Sequence, residues 1–354
     1  MKLPALVIDT AKIRHNTRVV SSMLGELGMR LVGVPKSVLG HPAVVKAMVE
    51  GGAAAIADSR VENLARAREG GYAGETVLLR SPAPSRVDEA VAVADVSLNS
   101  EVEVVRMLAK AARKANRTHK VVLMVDLGDL REGVPVHKAV ETAKAMSSED
   151  GVKLAGIGVN LACYGGVIPT REKMEALLKV RDDIESSLGL KLETVSGGNS
   201  ANMPLVMNKE MPAGITELRI GESVLLGTEA VHRSPVPGCY PDAFTIVAEV
   251  IEVQTKPSKP EGQVGQNAFG LVVTFPDRGI RKRAICAAGR QDIDPDGLTP
   301  LEPGVQVLGA SSDHLILDVQ DAGDVKVGSM LRFIPAYSSL LQAATSPFVE
   351  KVVR

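Results

Sequence analysis

Short, uninterrupted apolar runs alternate with amphipathic stretches over roughly the first two thirds of the chain. The runs fall at 31–36, 53–57, 76–80, 93–98, 120–127, 154–160, 193–196 and 215–220. They are continuous rather than alternating, the pattern of strands buried on both faces of a parallel sheet. Helical spacing lies between them, near 41–51, 59–70, 100–115, 135–147 and 168–187, with shorter connections after 80 and after 200. An earlier strand, Leu6-Val7-Ile8, leads to a helix that begins near Ala11 under an Asp9 or Thr10 cap and carries Ile13, Val19, Val20, Met23 and Leu24 on one side. Strands alternating with helices make βαβ units, and about eight of them predict an α/β fold of the (β/α)8 TIM-barrel type. A doubly wound open sheet needs fewer.

The texture changes after Ser234-Pro235-Val236-Pro237-Gly238. Helical periodicity disappears, and short β-rich segments at 244–254, 271–275, 283–288, 305–309, 314–319 and 331–334 are separated by Pro, Gly and Asp. A less regular tail is expected at 338–354. The predicted domains are a barrel over 9–232 and a C-terminal all-β domain over 233–354, with the strand at 1–8 free to pair with the latter.

Composition narrows the function. The 354 residues carry 41 basic and 42 acidic side chains, a net charge of -1, with no long run of either sign. That predicts no nucleic acid and no membrane surface as a main partner. Tryptophan is absent and aromatics are 3%, so base-stacking platforms are not expected. Cys163, Cys239 and Cys286 are odd in number and far apart, which fits a reducing cytoplasm better than a disulfide framework. Met1 to Pro4 lacks the charged and apolar regions of a secretory signal, and no apolar run has the length of a membrane span. The expected setting is cytoplasmic.

In such barrels chemistry sits at the carboxyl ends of the strands. The first barrel strand ends in Val34-Pro35-Lys36, a lysine closing an apolar run. Such a lysine can snorkel into water, or lose hydration and attack a carbonyl as a Schiff base. The fifth ends in Asp126-Leu127-Gly128-Asp129-Leu130-Arg131, the sixth in Asn160-Leu161-Ala162-Cys163-Tyr164-Gly165 and the eighth in Arg219-Ile220-Gly221-Glu222. The seventh ends in Ser196-Gly197-Gly198-Asn199-Ser200-Ala201, whose glycines and Ser200 hydroxyl suit a phosphate, with Gly221 completing the site. As a lone motif it reads equally as a turn. Together, an imine-forming lysine and a phosphate cradle on one rim fit pyridoxal 5'-phosphate. Arg219 would then face the pyridine nitrogen, and an arginine there keeps that nitrogen unprotonated, which suits rapid removal and return of the Cα proton.

On these residues the chain resembles the alanine racemase family of fold-type III pyridoxal-phosphate enzymes, nearest to the branch acting on ornithine. The resemblance is carried by 7–16, Val34-Pro35-Lys36, Ile56-Ala57-Asp58-Ser59-Arg60, Met124-Val125-Asp126-Leu127-Gly128, 196–201, Leu218-Arg219-Ile220-Gly221 and 308–314. It implies that Lys36 is the Schiff-base lysine and one of two bases, and that Arg219 faces the ring nitrogen. It further implies that Ser200, Gly221 and Tyr337 hold the phosphate, with Ser196 and Asn199 in the same loop. Arg131 stands near the substrate carboxylate, and Asn160 replaces a histidine beside the ring. A homodimer with shared sites is implied, in which Ser311, Ser312 and Asp313 come from the second copy.

Two departures stand out. Leu39-Gly40-His41-Pro42 replaces a tyrosine and Gly-His-Gly after the lysine, and Gly265-Gln266-Asn267-Ala268-Phe269-Gly270 lacks the tyrosine that serves as second base. Asp313, His314, Cys163 and Tyr164 are the alternatives for that role, along with Lys36 serving both faces. The expected activity is racemisation of ornithine or another basic amino acid. A decarboxylase of the same architecture and a non-catalytic carrier of the cofactor are the alternatives. Asp292-Ile293-Asp294-Pro295-Asp296-Gly297 resembles an EF-hand start, but Pro303 occupies the twelfth position, so it reads as a solvated turn; its acids could attract a cationic substrate tail. His41, His119 and His232 show no ligand spacing and read as surface or capping residues. No metal is expected.

Overall fold

The computed structural model describes residues 1–354. Contacts divide them into two units, Thr10–Pro241 and Met1–Asp9 with Asp242–Arg354.

The strand β1 (Ala5–Ile8) belongs to the second unit, and α1 (Thr10–Gly25) opens the first. Eight strand–helix pairs follow: β2 (Arg30–Gly33) and α2 (Pro42–Glu50), β3 (Ala55–Asp58) and α3 (Val61–Glu69), β4 (Glu75–Leu78) and α4 (Val87–Val93), β5 (Val96–Asn99) and α5 (Val102–Lys114). Then come β6 (His119–Asp126) with the short β7 (Val134–Pro135) and α6 (Ala139–Ser147), β8 (Val152–Gly158) and α7 (Arg171–Leu188), β9 (Thr194–Ser196) and α8 (Met203–Met207), β10 (Glu217–Ile220) and α9 (Glu222–Leu226). The strands pair in parallel in the order β2-β3-β4-β5-β6-β8-β9-β10, and β10 pairs back onto β2. The barrel is closed.

Its interior is packed by Val32, Val34, Ala57, Val77, Val96, Leu98, Val122 and Met124, which is why the strand sequences read as apolar without interruption. On the outside, α5 turns Val105, Leu108, Ala109 and Ala112 inward and leaves its charged side chains in water. Close approach between β8 and β9 requires glycine, because a Cβ at Gly156 would lie 2.2 Å from the Thr194 carbonyl oxygen. The segment after β10 stays with this unit. Asn16 Oδ1 accepts the Tyr240 N–H at 2.7 Å, and Asn16 Nδ2 donates to the carbonyls of Tyr240 and Val224.

The second unit is built on the long strand β11 (Phe244–Pro257), followed by β12 (Ile280–Cys286), β13 (Leu298–Pro300), β14 (Gln306–Ala310), β15 (Leu315–Asp318), β16 (Met330–Pro335), α10 (Tyr337–Thr345) and β17 (Glu350–Val353). The antiparallel path is β13-β16-β11-β12-β15-β14, with β1 antiparallel to β11 and parallel to β17. The sequence reading is corrected here in three places. Residues 271–275 form no strand: Leu271, Val272 and Val273 are exposed, with no neighbouring strand to take their backbone groups. The tail expected to be irregular holds α10 and β17, and β13 had no strand signal because it is three residues long and ends in proline.

Candidate active site at the carboxyl ends of the barrel strands

Lys36 follows β2 through Val34 and Pro35, and Val34 N–H donates to the Ile220 carbonyl at the end of β10. The turn Lys36–Val38 then runs through Leu39 and Gly40, both with positive φ, of 58° and 63°. His41 caps α2, its Nδ1 accepting the Ala43 N–H, as the sequence suggested. Lys36 is half-buried. Asp58 and Glu222 lie within electrostatic reach of its ammonium, each drawn down by it. Burial pushes the Asp58 carboxyl up to about 6, against hydrogen bonds from Asn63 Nδ2 and Arg60 N–H. Burial likewise raises Glu222, against its ion pair with Arg233.

The loop after β6 is tied to the loop after β8 by Asp129. Its carboxylate accepts the N–H groups of Cys163, Tyr164 and Val167 at 3.3, 3.0 and 3.3 Å. Burial works against that charge, but these donors hold the carboxyl below its usual value. Arg131, in the same loop, is partly exposed and paired with Glu132. Leu130 and Ala162 adopt φ of 57° and 56°, so three rim loops, counting Leu39, hold a non-glycine residue in the left-handed region.

After β8, Asn160 is 9% exposed, and its Oδ1 accepts from Asn199 Nδ2 at 3.0 Å. Asn199 also donates to the Leu161 carbonyl and to Cys163 Sγ, while its own oxygen accepts the Ala201 N–H. Ser200 is buried, and its Oγ accepts the Ser223 N–H at 3.2 Å. Gly221 packs so tightly that a Cβ would lie 2.9 Å from the Val34 carbonyl. Arg219 is 4% exposed, donating to Ser196 Oγ and to the Val159 carbonyl. Burial pulls its guanidinium below the usual value.

Lys36, Arg131, Asn160, Ser196, Asn199, Ser200, Arg219 and Gly221 therefore all stand at or just beyond the carboxyl ends of β2, β6, β8, β9 and β10. Ser196 is wholly buried, its hydroxyl held between Arg219 and Glu217. In the β unit, Asp313 and His314 occupy the exposed turn between β14 and β15. There Gln291 Nε2 donates to Asp313 Oδ1 at 2.5 Å and Ser311 N–H to the His314 carbonyl at 2.9 Å. Tyr337 is the first residue of α10. Of the acids at 292–296, Asp292 is buried against Ser346 Oγ, and Arg290 lies 3.9 and 3.6 Å from Asp294 and Asp296. One arginine thus answers part of the negative charge there.

The sequence reading places Asp129 at the end of its strand and Asp58 in a stretch of the resemblance but gives neither a role, and it misses Glu217, which lies below the rim. Glu217 carried a signal: it stands two residues before Arg219 on one strand, so both side chains point the same way. His119 is corrected: it is wholly buried, its Nε2 2.8 Å from Ser97 Oγ, and burial lowers its imidazole to about 4. The chain contains no group of three or more His, Cys, Asp or Glu able to hold a metal, and no helix long and apolar enough to cross a membrane.

A closed (β/α)8 barrel with Lys36 and a buried arginine, Arg219, at its carboxyl rim, joined to an antiparallel β unit, defines the class of protein. The family model described as "Alanine racemase, N-terminal domain" matches residues 8–229, and the chain belongs to that family. It is 45% identical over 352 residues to a lysine racemase of Thermotoga maritima, covering 99% of each chain. It is 39% identical over 350 residues to an ornithine racemase of Acetoanaerobium sticklandii, covering 98% of this chain and 99% of that one. The fold matches the solved alanine racemase of Streptomyces lavendulae, with a TM-score of 0.74 at 20% identity over 100% of this chain and 98% of that one. A D-threonine aldolase of Filomicrobium marinum gives 0.73 at 20% identity, over 97% and 89%.

Proposed function

We propose that the chain is an amino-acid racemase that interconverts the L and D forms of a basic amino acid, lysine or ornithine, with pyridoxal 5'-phosphate at the barrel rim. The observation that carries the reading is Lys36 and the buried Arg219 on neighbouring strands of one rim, in a chain 45% and 39% identical to a lysine and an ornithine racemase. The donor set fits the cofactor. Asn160 Nδ2 and Ser223 Oγ are buried polar atoms with no hydrogen-bond partner in the protein, and they lie beside Asn199 and Ser200 respectively. Buried polar groups are seldom left so, and a ring oxygen and a phosphate would satisfy them.

When bound, the cofactor supplies an electron sink for the Cα carbanion. The amine of Lys36 would hold the cofactor's aldehyde and, once the substrate amine has taken its place there, would be free to take and return the Cα proton on one face. Arg219, which cannot surrender its proton, donates to the ring nitrogen. Ser200 and Gly221 would hold the phosphate, Asn160 would stand beside the ring, and Arg131 would bind the substrate carboxylate. Ser196 serves indirectly, by holding Arg219. The family resemblance assigns Tyr337 to the phosphate, and the proton donor on the face opposite Lys36 is open among Asp313, His314, Cys163 and Tyr164, the family's tyrosine being absent. Y337F, D313N and H314Q, measured beside variants of Cys163 and Tyr164, separate these roles. Val264, Phe269, Leu271, Val272 and Phe275 are exposed apolar side chains of the segment between β11 and β12, which supports a second copy of the chain as partner.

The test is the absorbance of the protein with added pyridoxal 5'-phosphate, for wild type and Lys36→Ala, followed by L-lysine and L-ornithine in D2O. An imine band lost in the variant, with Cα deuterium and the D enantiomer rising together, is the expected result. An imine band without Cα exchange in any amino acid overturns the racemase and leaves a carrier. Loss of CO2 from the substrate would instead identify a decarboxylase.

A further inference from the structure

Below the rim, a buried polar chain runs from Arg219 toward the opposite end of the barrel. Glu217 and Arg219 alternate on β10 and so project to the same side, and Ser196 closes β9 in register with Glu217. Arg219 Nη1 donates to Ser196 Oγ, and Ser196 Oγ donates to Glu217 Oε1 at 2.8 Å. The second carboxylate oxygen of Glu217 takes Nε and Nη2 of Arg30 at 2.9 and 2.7 Å, a forked contact. Glu217 is 3% exposed and Ser196 0%. Beyond them lies a cavity of about 300 Å³, lined among others by Arg30, Glu75, Val96, Lys120 and Val122. Most barrels fill this volume with branched side chains. Here one carboxylate is buried between two arginines.

A guanidinium as buried as that of Arg219 has lost its water, and a charge in that state needs an opposite charge and fixed hydrogen bonds. Glu217 is the one acid joined to it by a hydrogen-bonded bridge, and Ser196 is the bridge. Arg30 fixes the carboxylate from the far side, so Glu217 cannot turn toward Arg219 and remove its guanidinium from the rim. We infer that Glu217, acting through Ser196, is a positioning residue that compensates the buried charge of the Arg219 guanidinium and holds it in one orientation at the active site. The inference rests on the proposed function, in which Arg219 donates to the ring nitrogen. It adds that the electronic setting of that nitrogen is determined two residues down the strand.

Glu217→Gln keeps the shape and removes the charge, and Ser196→Ala removes the bridge alone. In cofactor-free protein, both variants should raise the side-chain proton exchange rate of Arg219, followed by nitrogen-15 NMR and assigned with R219K, by about tenfold or more, as loss of a hydrogen bond to a charged group implies. In the loaded enzyme kcat should fall about tenfold to a hundredfold with KM little changed, and a long-wavelength absorbance should appear with substrate. In a cycle with R219K, E217Q should add little further loss, because it acts through the same guanidinium. Unchanged arginine exchange and additive losses would overturn the inference. Should E217Q fail to fold, S196A alone decides, by the same two measurements. A wild type that forms no imine with pyridoxal 5'-phosphate would refute the proposed function, whereas normal imine and racemisation in E217Q would refute only the role of Glu217.

Discussion

Asn199 Nδ2 donates to Asn160 Oδ1 at 3.0 Å, which fixes the Asn160 amide so that its own Nδ2, buried and unpartnered in the protein, is the group left for a ligand. The same nitrogen of Asn199 also reaches the Leu161 carbonyl, so a single side chain joins the loop after β9 to the loop after β8. Asn199→Ala should therefore leave Lys36 able to form its imine but weaken retention of pyridoxal 5'-phosphate about threefold to tenfold, the worth of one oriented hydrogen bond. Equilibrium titration of cofactor-free protein measures it. Equal affinity in the variant would show that Asn160 needs no such support.

The lysine loop depends on Gly40. Its φ is 63°, and a Cβ there would lie 2.5 Å from the Asn63 carbonyl oxygen at the start of α3. Neither the conformation nor the space admits a side chain. Gly40→Ala should lose about 2 kcal/mol of stability and slow imine formation at Lys36, since relief of the clash moves the turn that carries it. Thermal unfolding and the rate of the absorbance change report the two effects separately. A stable variant with wild-type imine kinetics would show that the turn adapts without moving the lysine.

Asp129 is the other organiser. Removing its carboxylate in Asp129→Ala strands three backbone N–H donors in the loop that bears Cys163 and Tyr164, at a cost of about 1–3 kcal/mol. Because its folded pKa is held down, the stability it contributes is present above the ordinary aspartate range and is lost as pH falls through the folded value. The variant should show a lower kcat/KM and a shallower acid dependence of unfolding than wild type, followed by circular dichroism. Asp129→Asn, which keeps one acceptor oxygen, should fall between the two.

The eight barrel strands were legible because each is buried on both faces and so has to be apolar throughout. Lys36 was legible for the complementary reason, as a charge that closes such a run. The role of Asp129 was not, because its partners are backbone groups of a distant loop; for Glu217 the spacing from Arg219 gives a shared direction, while its partners Ser196 and Arg30 on neighbouring strands are contacts that no local spacing encodes. Residues 271–275 have the composition of a strand but nothing to pair with, while the small-residue stretch of α10 had read as irregular. A short apolar run states a preference, and only the fold provides its partner.

His119 shows the same limit and gives a pH prediction. At the start of β6 it reads as a surface residue, yet it is wholly buried, its Nε2 2.8 Å from Ser97 Oγ on β5 and its Nδ1 without a partner. Burial lowers its imidazole from 6.5 to about 4, so between these values the unfolded chain binds a proton that the folded one does not. Stability then rises with pH across that window, and acidification from 6.5 to about 4 removes about 3 kcal/mol through this group. Asp58 works in the opposite sense. Its folded value is raised from 3.8 to about 6, so in that window the folded chain binds more protons and stability falls as pH rises. Wild type should consequently show a shallow profile between about pH 4 and 6, where the two contributions oppose. His119→Gln removes one of them and should expose the other, so that the variant gains stability on acidification through the range in which wild type is nearly flat. Urea unfolding midpoints across the window measure both curves. Parallel profiles for wild type and variant would mean that His119 takes up its proton within the folded barrel.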